Sequence, residues 1–237
     1  MRDEVFRDPR RQIVDFVFDE SIAAAFPDMI RRSVPGYETV VPMSGLIAAR
    51  HARSGGRCYD LGCSLGATSM AILRQLETPD CRIIAVDNSA AMLDRARALH
   101  GNESRIEWLH ADLRDVAIEN ACAVVMNYTL QFVPSDDRLD LLTRIRHAMD
   151  PSGVLIVSEK VCFDDAWEQS YFDHTHVAYK RANGYSALEV AQKRSSLEKV
   201  LVPDRIEEHE ARFRAAGFGR VHTWFRCLNW ASFVAMP

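Results

Sequence analysis

Gly62-Cys63-Ser64-Leu65-Gly66, Asp87, Asp112 and Asn127 are small or polar residues, each placed where an apolar, strand-like run stops. The first group follows "CYDL" and precedes "ATSMAIL", so it joins a strand to a helix. Small side chains there let a ligand touch the backbone, and the helix N-terminus beyond offers unbonded amides. The spacing departs from the G-x-G-x-x-G of dinucleotide sites, because Ser64 holds the middle place and Gly66 comes early. By itself the group also fits a plain tight turn. Asp87 ends the next run, 25 residues after Gly62, where a carboxylate can accept from both ribose hydroxyls of an adenosine. Asn88 follows as a neutral hydrogen-bonding group. Asp112 closes "RIEWLHAD" and could accept from an adenine amino group; Asn127, in "MNYTLQF", could face the far end of the ligand. Taken singly, Asp87 would serve equally to cap the next helix, and Asp112 to begin a turn.

Arg194 points to different chemistry. Val190, Arg194, Leu197 and Leu201 fall at i, i+4, i+7 and i+11, which predicts one helical face. A guanidinium inside an apolar stripe requires a partner, because an unpaired buried charge is costly. The partner could be a ligand carboxylate gripped by the two-pronged fork. It could equally be Glu198 one turn on, with the arginine stem lying along the surface. His174 and His176 form an H-x-H pair without a third ligand at suitable spacing, so no metal site is expected.

The elements that must position these groups follow a regular alternation. Strand-like "RCYDL", "CRIIAVD", "RIEWLHAD", "ACAVVMNY" and "GVLIVSEK" are interleaved with helix-like 66–76, 89–100 and 135–149, the last capped by Ser135. Apolar strands alternating with helices predict a parallel sheet covered on both faces, with ligands beyond the carboxyl ends of the strands. Two helices precede the first strand, with Asp19 as N-cap and a turn at "VPGY". Residues 164–200 break the rhythm as a polar helical insertion. A last helix stops near Gly217, and "GRVHTWFRC" and "WASFVAM" form an antiparallel pair at the sheet edge.

The expected architecture is an α/β, Rossmann-like, doubly wound and mostly parallel sheet in one domain over 1–237. Within it, 1–56 form an N-terminal helical cap, 57–160 the cofactor-binding core, 161–202 a helical insertion, and 203–237 a C-terminal helix and strand pair. Residues 1–18 read as a partly ordered leader.

With 237 residues and a net charge of -4, the chain has no basic excess to draw nucleic acid by itself. The N-terminus lacks the apolar core of a signal peptide, and no run approaches the roughly 18 apolar residues of a membrane span. Six cysteines without a C-x-x-C read as reduced core thiols of a cytoplasmic protein.

One turn followed by three polar strand ends in order is more specific than any one of them. The progression D-x-G-x-S-x-G, an acid, A-D, then an Asn resembles the S-adenosylmethionine-dependent class I methyltransferase superfamily. The segments "VFDESIAAAFPDMIRRSVPGY", "YDLGCSLGAT", "DNSAAMLDRAR", "IENACAVVMNYTLQF", "SEK", "KRANGYSALEVAQKRSSLE" and "WFRCLNWASFVAM" narrow this. They resemble the carboxy-S-adenosyl-L-methionine synthase family from about residue 14 to the end.

That resemblance implies a reaction of S-adenosyl-L-methionine with prephenate, giving carboxy-S-adenosyl-L-methionine and phenylpyruvate. A companion tRNA carboxymethyltransferase then uses the product on a wobble uridine. It also implies a homodimer, with 164–200 as the expected interface. Tyr37, Gly62, Cys63, Ser64, Asp87, Asn88, Asp112, Leu113, Asn127 and Arg194 fall at the family's cofactor-binding positions, and Arg194 is expected to grip the product carboxylate. Arg32, Lys160, Lys180 and Arg181 are further cations in matching segments that would meet prephenate or lie solvated. Two rival functions share the fold. One is a small-molecule methyltransferase, for which no Asn-Pro-Pro-Tyr loop follows the fourth strand. The other is a non-catalytic scaffold for a tRNA-modifying partner.

Overall fold

The computed structural model of the chain describes residues 2–8, 16–101, 103–197 and 200–237. Glu198, the alternative partner considered for Arg194, lies outside the described residues, as do residues 9–15 of the leader. Among the described residues, seven strands make one sheet: β1 (Arg57–Leu61), β2 (Arg82–Asp87), β3 (Ile106–His110), β4 (Ala121–Asn127), β5 (Met149–Lys160), β6 (Arg220–Cys227) and β7 (Trp230–Met236). Their spatial order is β3-β2-β1-β4-β5-β7-β6. Pairings from β3 through β5 are parallel, and β7 runs antiparallel to both β5 and β6. The expected antiparallel pair is therefore present, with β7 inserted against β5.

Among the described residues, eight α-helices surround the sheet: α1 (Glu20–Ser33), α2 (Tyr37–Arg50), α3 (Ala67–Gln75), α4 (Ala90–His100), α5 (Arg138–Ala148), α6 (Ala166–Ala182), α7 (Ala187–Leu197) and α8 (Ile206–Ala215). Along β1, β2 and β4 successive side chains point to opposite faces. Tyr59, Leu61, Ile84, Val86, Val124 and Met126 join the cluster containing Leu141, Leu142 and Ile145 of α5 and Phe213 of α8. Cys58, Ile83, Ala85, Ala123 and Val125 join the cluster containing Ala48 of α2 and Ile72 and Leu73 of α3. Each large apolar side chain buried this way contributes about 1.5–3 kcal/mol. A one-residue slip would exchange the two sets, so the register is fixed by both faces at once.

The strand order reverses between β1 and β4, and this switch point opens a crevice at the carboxyl ends. Cys58, Cys81 and Cys122 meet at the opposite, amino-terminal edge, with sulfurs 3.6 to 3.9 Å apart. All six cysteines are free. This trio is the one group among the described residues close enough to hold an ion. No described helix is long and apolar enough to cross a membrane.

Several local expectations change. Asp19 does cap α1, its Oδ1 accepting from the Ile22 amide at 2.9 Å. Ser135 is not the cap of α5: it begins a short 3-10 turn, Ser135–Asp137, and the α-helix starts at Arg138. β5 begins at Met149 rather than Gly153. Pro151 and Gly153 read as turn residues, but they bulge within the strand, where pairing jumps from Met149 with Ala121 to Val154 with Ala123. The leader is anchored at its described part, since Asp3 and Phe6 are only 2% and 4% exposed.

α7 also differs from the apolar stripe expected of it. The helix ends at Leu197, so Leu201 lies beyond it. Its buried residues are Glu189, Val190, Gln192, Lys193 and Ser196. Lys193 is therefore the buried cation of this helix, whereas the Arg194 side chain is 64% exposed.

Candidate active site

A cavity of about 680 Å³ lies over the carboxyl ends of β1, β2, β4 and β5, roofed by α1, α6 and α7. That size suits a small-molecule reactant pair or a cofactor. Every residue expected at the cofactor lines it: Tyr37, Gly62, Cys63, Ser64, Asp87, Asn88, Asp112, Leu113, Asn127 and Arg194.

The Gly62–Gly66 turn is tied down by its own backbone, with the Gly62 and Cys63 amides both donating to the Val86 carbonyl at 2.8 and 2.9 Å. Gly62 has φ +78°, and a Cβ there would come within 2.3 Å of the Thr129 Oγ1. Its smallness thus serves the loop after β4 as well as the cavity. Gly66, at φ +80°, is closed off by Trp108, 2.4 Å from where a Cβ would sit. Of the two glycines, only Gly62 faces the cavity.

Asp87 is held at the rim of β2 by the Ser64 amide on Oδ2 (2.8 Å) and the Ser89 amide on Oδ1 (2.9 Å). Burial pushes its carboxyl up. One lone pair on each oxygen remains for a ligand hydroxyl. Beneath it, the buried Asp60 accepts from Ser69 Oγ at 2.6 Å, and burial pushes its carboxyl up to about 7.

Asp112 is largely engaged. The Arg114 Nε (3.0 Å), Nη2 (2.8 Å) and amide (2.9 Å) all donate to it. Arg114, through those hydrogen bonds, holds the Asp112 carboxyl below the usual range. Asn127 is likewise fixed: its Nδ2 donates to Thr68 Oγ1 (3.0 Å) and its Oδ1 accepts from Ser44 Oγ (3.3 Å). Both residues shape this end of the cavity with few polar atoms left over.

The middle of the cavity is aromatic. Tyr37 and Tyr128 have ring centroids 5.9 Å apart, and Tyr128 meets Trp230 edge-on at 5.4 Å. Burial, then the Asp60 charge, pushes the Tyr37 hydroxyl up to about 12, so it stays protonated. Glu159, buried at the end of β5, accepts the Thr129, Leu130 and Gln131 amides at 3.1, 2.7 and 3.2 Å. It thereby fixes the loop that carries Tyr128 and Thr129.

The far end is cationic. Lys160 from β5, Lys180 from α6, and Lys193 and Arg194 from α7 all line it, with Asp173 as the acid among them. Burial lowers the Lys160 ammonium, lowers Lys180 to about 8, and lowers Lys193 to about 7. The neighbouring Lys160 charge adds to the effect at Lys180. Lys193 Nζ donates to Ser33 Oγ at 2.9 Å.

Other expected cations are elsewhere. Arg32 bonds Asp28 (2.9 Å) and the Asn183 carbonyl (2.7 Å), and Arg181 is exposed; neither lines the cavity. His176 is buried against the Ser33 carbonyl (2.7 Å), and burial lowers its imidazole to about 3, while His174 is exposed beside Ser170. Lys193 was missed because its neighbour Arg194 fits the apolar spacing better. The available signal was a second basic residue in "QKRSS", half a turn or less from the first.

Comparison with known proteins places the chain in a family. The family model described as "Methyltransferase domain" matches residues 59–153. The chain is 50% identical over 238 residues to the carboxy-S-adenosyl-L-methionine synthase of Geobacter metallireducens, covering 99% of this chain and 98% of that protein. It is also 50% identical over 242 residues to the enzyme of that name from Pseudomonas putida, covering 99% and 98%. Among solved structures, human N-acetylserotonin methyltransferase in complex with SAM superposes with a TM-score of 0.59 at 15% identity. That match covers 98% of this chain but only 61% of the longer human one, and at such identity it speaks for the fold alone.

Proposed function

Because this chain belongs to the carboxy-S-adenosyl-L-methionine synthase family, within the class I S-adenosylmethionine-dependent methyltransferase superfamily, we propose that it converts S-adenosyl-L-methionine and prephenate into carboxy-S-adenosyl-L-methionine, phenylpyruvate and water. The observation that carries this reading is the charge imbalance at one end of the cavity. Lys160, Lys180, Lys193 and Arg194 face a single lining acid, Asp173. Burial acts against the charge of the three lysines, and the two carboxylates of prephenate would compensate it. A methyl acceptor would instead require a nucleophile at that end.

The residues divide the work between the reactants. Asp87 takes the ribose hydroxyls, Asn88, Asp112 and Leu113 border the adenine, and the Gly62–Ser64 backbone lies against the nucleoside. Asn127 shapes the amino-acid end. The faces of Tyr37, Tyr128 and Trp230 favour a sulfonium through cation–π attraction. The lysines hold the prephenate carboxylates, and Arg194 takes the carboxylate of the product.

The chemistry balances without an oxidant or metal. The positive sulfur acidifies the methyl group. Prephenate loses its ring carboxylate as carbon dioxide and its ring hydroxyl as hydroxide, and becomes aromatic. Hydroxide takes a methyl proton and leaves as water. The electron pair left on the ylide carbon forms the new bond to carbon dioxide. Water from bulk would quench that carbon, and Phe16, Phe18, Val190 and Leu197 give the cavity an apolar lining against it.

On the same resemblance, the working form is a cytoplasmic homodimer whose product feeds a tRNA carboxymethyltransferase. Incubation with S-adenosyl-L-methionine, with and without prephenate, followed by mass spectrometry tests the reaction. A product heavier by one carbon dioxide, formed only with prephenate, is expected. Methyl transfer to prephenate, or no product, would reject the reading.

A further inference from the structure

Residues 2–8 run as a strap against α1 and α7, and Asp3 is its anchor. The Asp3 amide donates to Asp28 Oδ2 at 2.7 Å, and its carbonyl accepts from Arg32 Nη1 at 3.3 Å. Its Oδ1 accepts the Val5 amide at 3.2 Å, and its Oδ2 accepts the Tyr185 hydroxyl. Further along, Gln192 Nε2 donates to the Phe6 and Asp8 carbonyls at 2.8 and 3.0 Å, which fastens the strap to α7. Phe6 itself packs with Ile22 and Met29 of α1, and with Leu65 of the cofactor turn.

Tyr185 connects this anchor to the cavity. The Arg32 guanidinium carbon lies 3.9 Å over its ring on one side, and the Lys193 Nζ is 5.6 Å from its centroid. The charged groups acting on Lys193 come from three sources. Asp3 on the strap and Asp28 on α1 favour its charge, while Lys180 on α6 and Arg32 on α1 oppose it. Two opposing cations are thus balanced by two acids, and one of those acids belongs to the strap. A buried ammonium with one hydrogen bond to Ser33 depends on that balance to stay charged.

We infer that Asp3 is a positioning residue for anion binding: through the Tyr185 hydroxyl and through its own charge, it holds Lys193 as a cation facing the cavity. The inference rests on the reading that the lysine end takes an anionic co-substrate. It goes further in making the amino-terminal strap part of the site's electrostatics.

The test uses the full chain and three variants: Asp3→Asn, Asp3→Glu and Tyr185→Phe. In Asp3→Asn and Tyr185→Phe, KM for prephenate should rise about tenfold, the scale of one weakened charged contact. S-adenosyl-L-methionine affinity, measured by calorimetry, should stay within about twofold of the parent. In Asp3→Asn the alkaline limb of kcat/KM for prephenate should also move about one pH unit lower, because loss of an anion favours the neutral amine. Asp3→Glu should restore most of both effects. Equal weakening of both reactants, a raised KM with an unmoved alkaline limb, or no change at all would overturn the role of Asp3. If the parent turns over prephenate normally and only these outcomes fail, the synthase reading stands. If the parent makes no carboxylated product, both fall together.

Discussion

Arg194 Nη2 lies 3.7 Å from Asp173 Oδ2, across the hairpin formed by α6 and α7. This pair ties α6 to α7 through the residue expected to hold the product carboxylate. With the arginine 64% exposed, the ion pair itself contributes at most about 1 kcal/mol. It is weak enough for a ligand carboxylate to displace.

Arg194→Ala should therefore leave S-adenosyl-L-methionine affinity nearly unchanged. It should weaken carboxy-S-adenosyl-L-methionine by about 1.5–3 kcal/mol, the range for a hydrogen bond to a charged group. Arg194→Lys should recover part of this, because an ammonium lacks the planar fork. Calorimetry with both ligands decides it. Equal losses would mean that the residue only shapes the rim, and no loss would shift product recognition to Lys180 and Lys193.

Asp87 offers a comparable test at the other end. Its two backbone donors use one lone pair on each oxygen, leaving the others for the ribose. Asp87→Ala should weaken S-adenosyl-L-methionine and its carboxylated form alike, by about 1.5–3 kcal/mol. Some of that loss would come from freeing the Ser64 and Ser89 amides. Asp87→Asn, which keeps an acceptor, should lose less than the alanine variant. Unchanged binding in both variants would remove Asp87 from the ribose.

These two sites show where local sequence was a sufficient guide. The period-2 burial of β1, β2 and β4 and the polar strand ends depend on residues close in the chain, so the cavity and the residues lining its β1–β2 end were legible. The cationic end was not. Lys193 is buried against α1 and Tyr185, and its hydrogen bond to Ser33 joins residues 160 positions apart. Helical spacing favoured Arg194, since periodicity registers which residues share a face but not which face finds a partner. The engagement of Asp112 by Arg114, two residues away, was near enough to read directly. Pro151 and Gly153 imitated a turn because a bulge uses the same residues.

Arg138 provides a stability test away from the cavity. It is fully buried on α5, donating to the Val133 carbonyl at 2.9 Å, the Gln131 carbonyl at 3.2 Å, the Val202 carbonyl at 2.9 Å and Asp204 at 2.5 Å. It thus joins the loop after β4 to the segment leaving α7. Arg138→Met keeps the bulk but strands the Val133 and Val202 carbonyls, while the Gln131 carbonyl keeps the Val202 amide at 3.0 Å and Asp204 retains Arg212 at 2.6 Å. A destabilisation of about 3–5 kcal/mol is expected for a buried ion pair broken on one side. At this chain length each kcal/mol lowers Tm by about 2–4 °C. A Tm within two degrees or so of the parent would show that neighbouring groups or water satisfy the site.

The two ends of the cavity should respond to pH in opposite directions. Asp60 lies beneath the cofactor turn with its carboxyl pushed up to about 7 by burial. Below that pH it is protonated, and the site holds one negative charge fewer for a cationic sulfonium. At the far end burial lowers Lys193 to about 7 and Lys180 to about 8. Below those values both are charged; as pH rises through them the anion site loses positive charge. Thus kcat/KM for S-adenosyl-L-methionine should fall on the acid side, and kcat/KM for prephenate on the alkaline side. These profiles report the free enzyme. Bound prephenate favours the ammonium forms, so the alkaline limb of kcat should move to higher pH than that of kcat/KM. Asp60→Asn should remove the acid limb alone, and Lys180→Met should weaken prephenate while reducing the alkaline limb. Steady-state rates across about pH 5.5–9.5 with each reactant varied in turn would test this. A prephenate profile flat through neutrality would mean that Lys180 and Lys193 do not govern binding of the anion, and the charge imbalance that supports the synthase reading would have to act through Lys160 and Arg194.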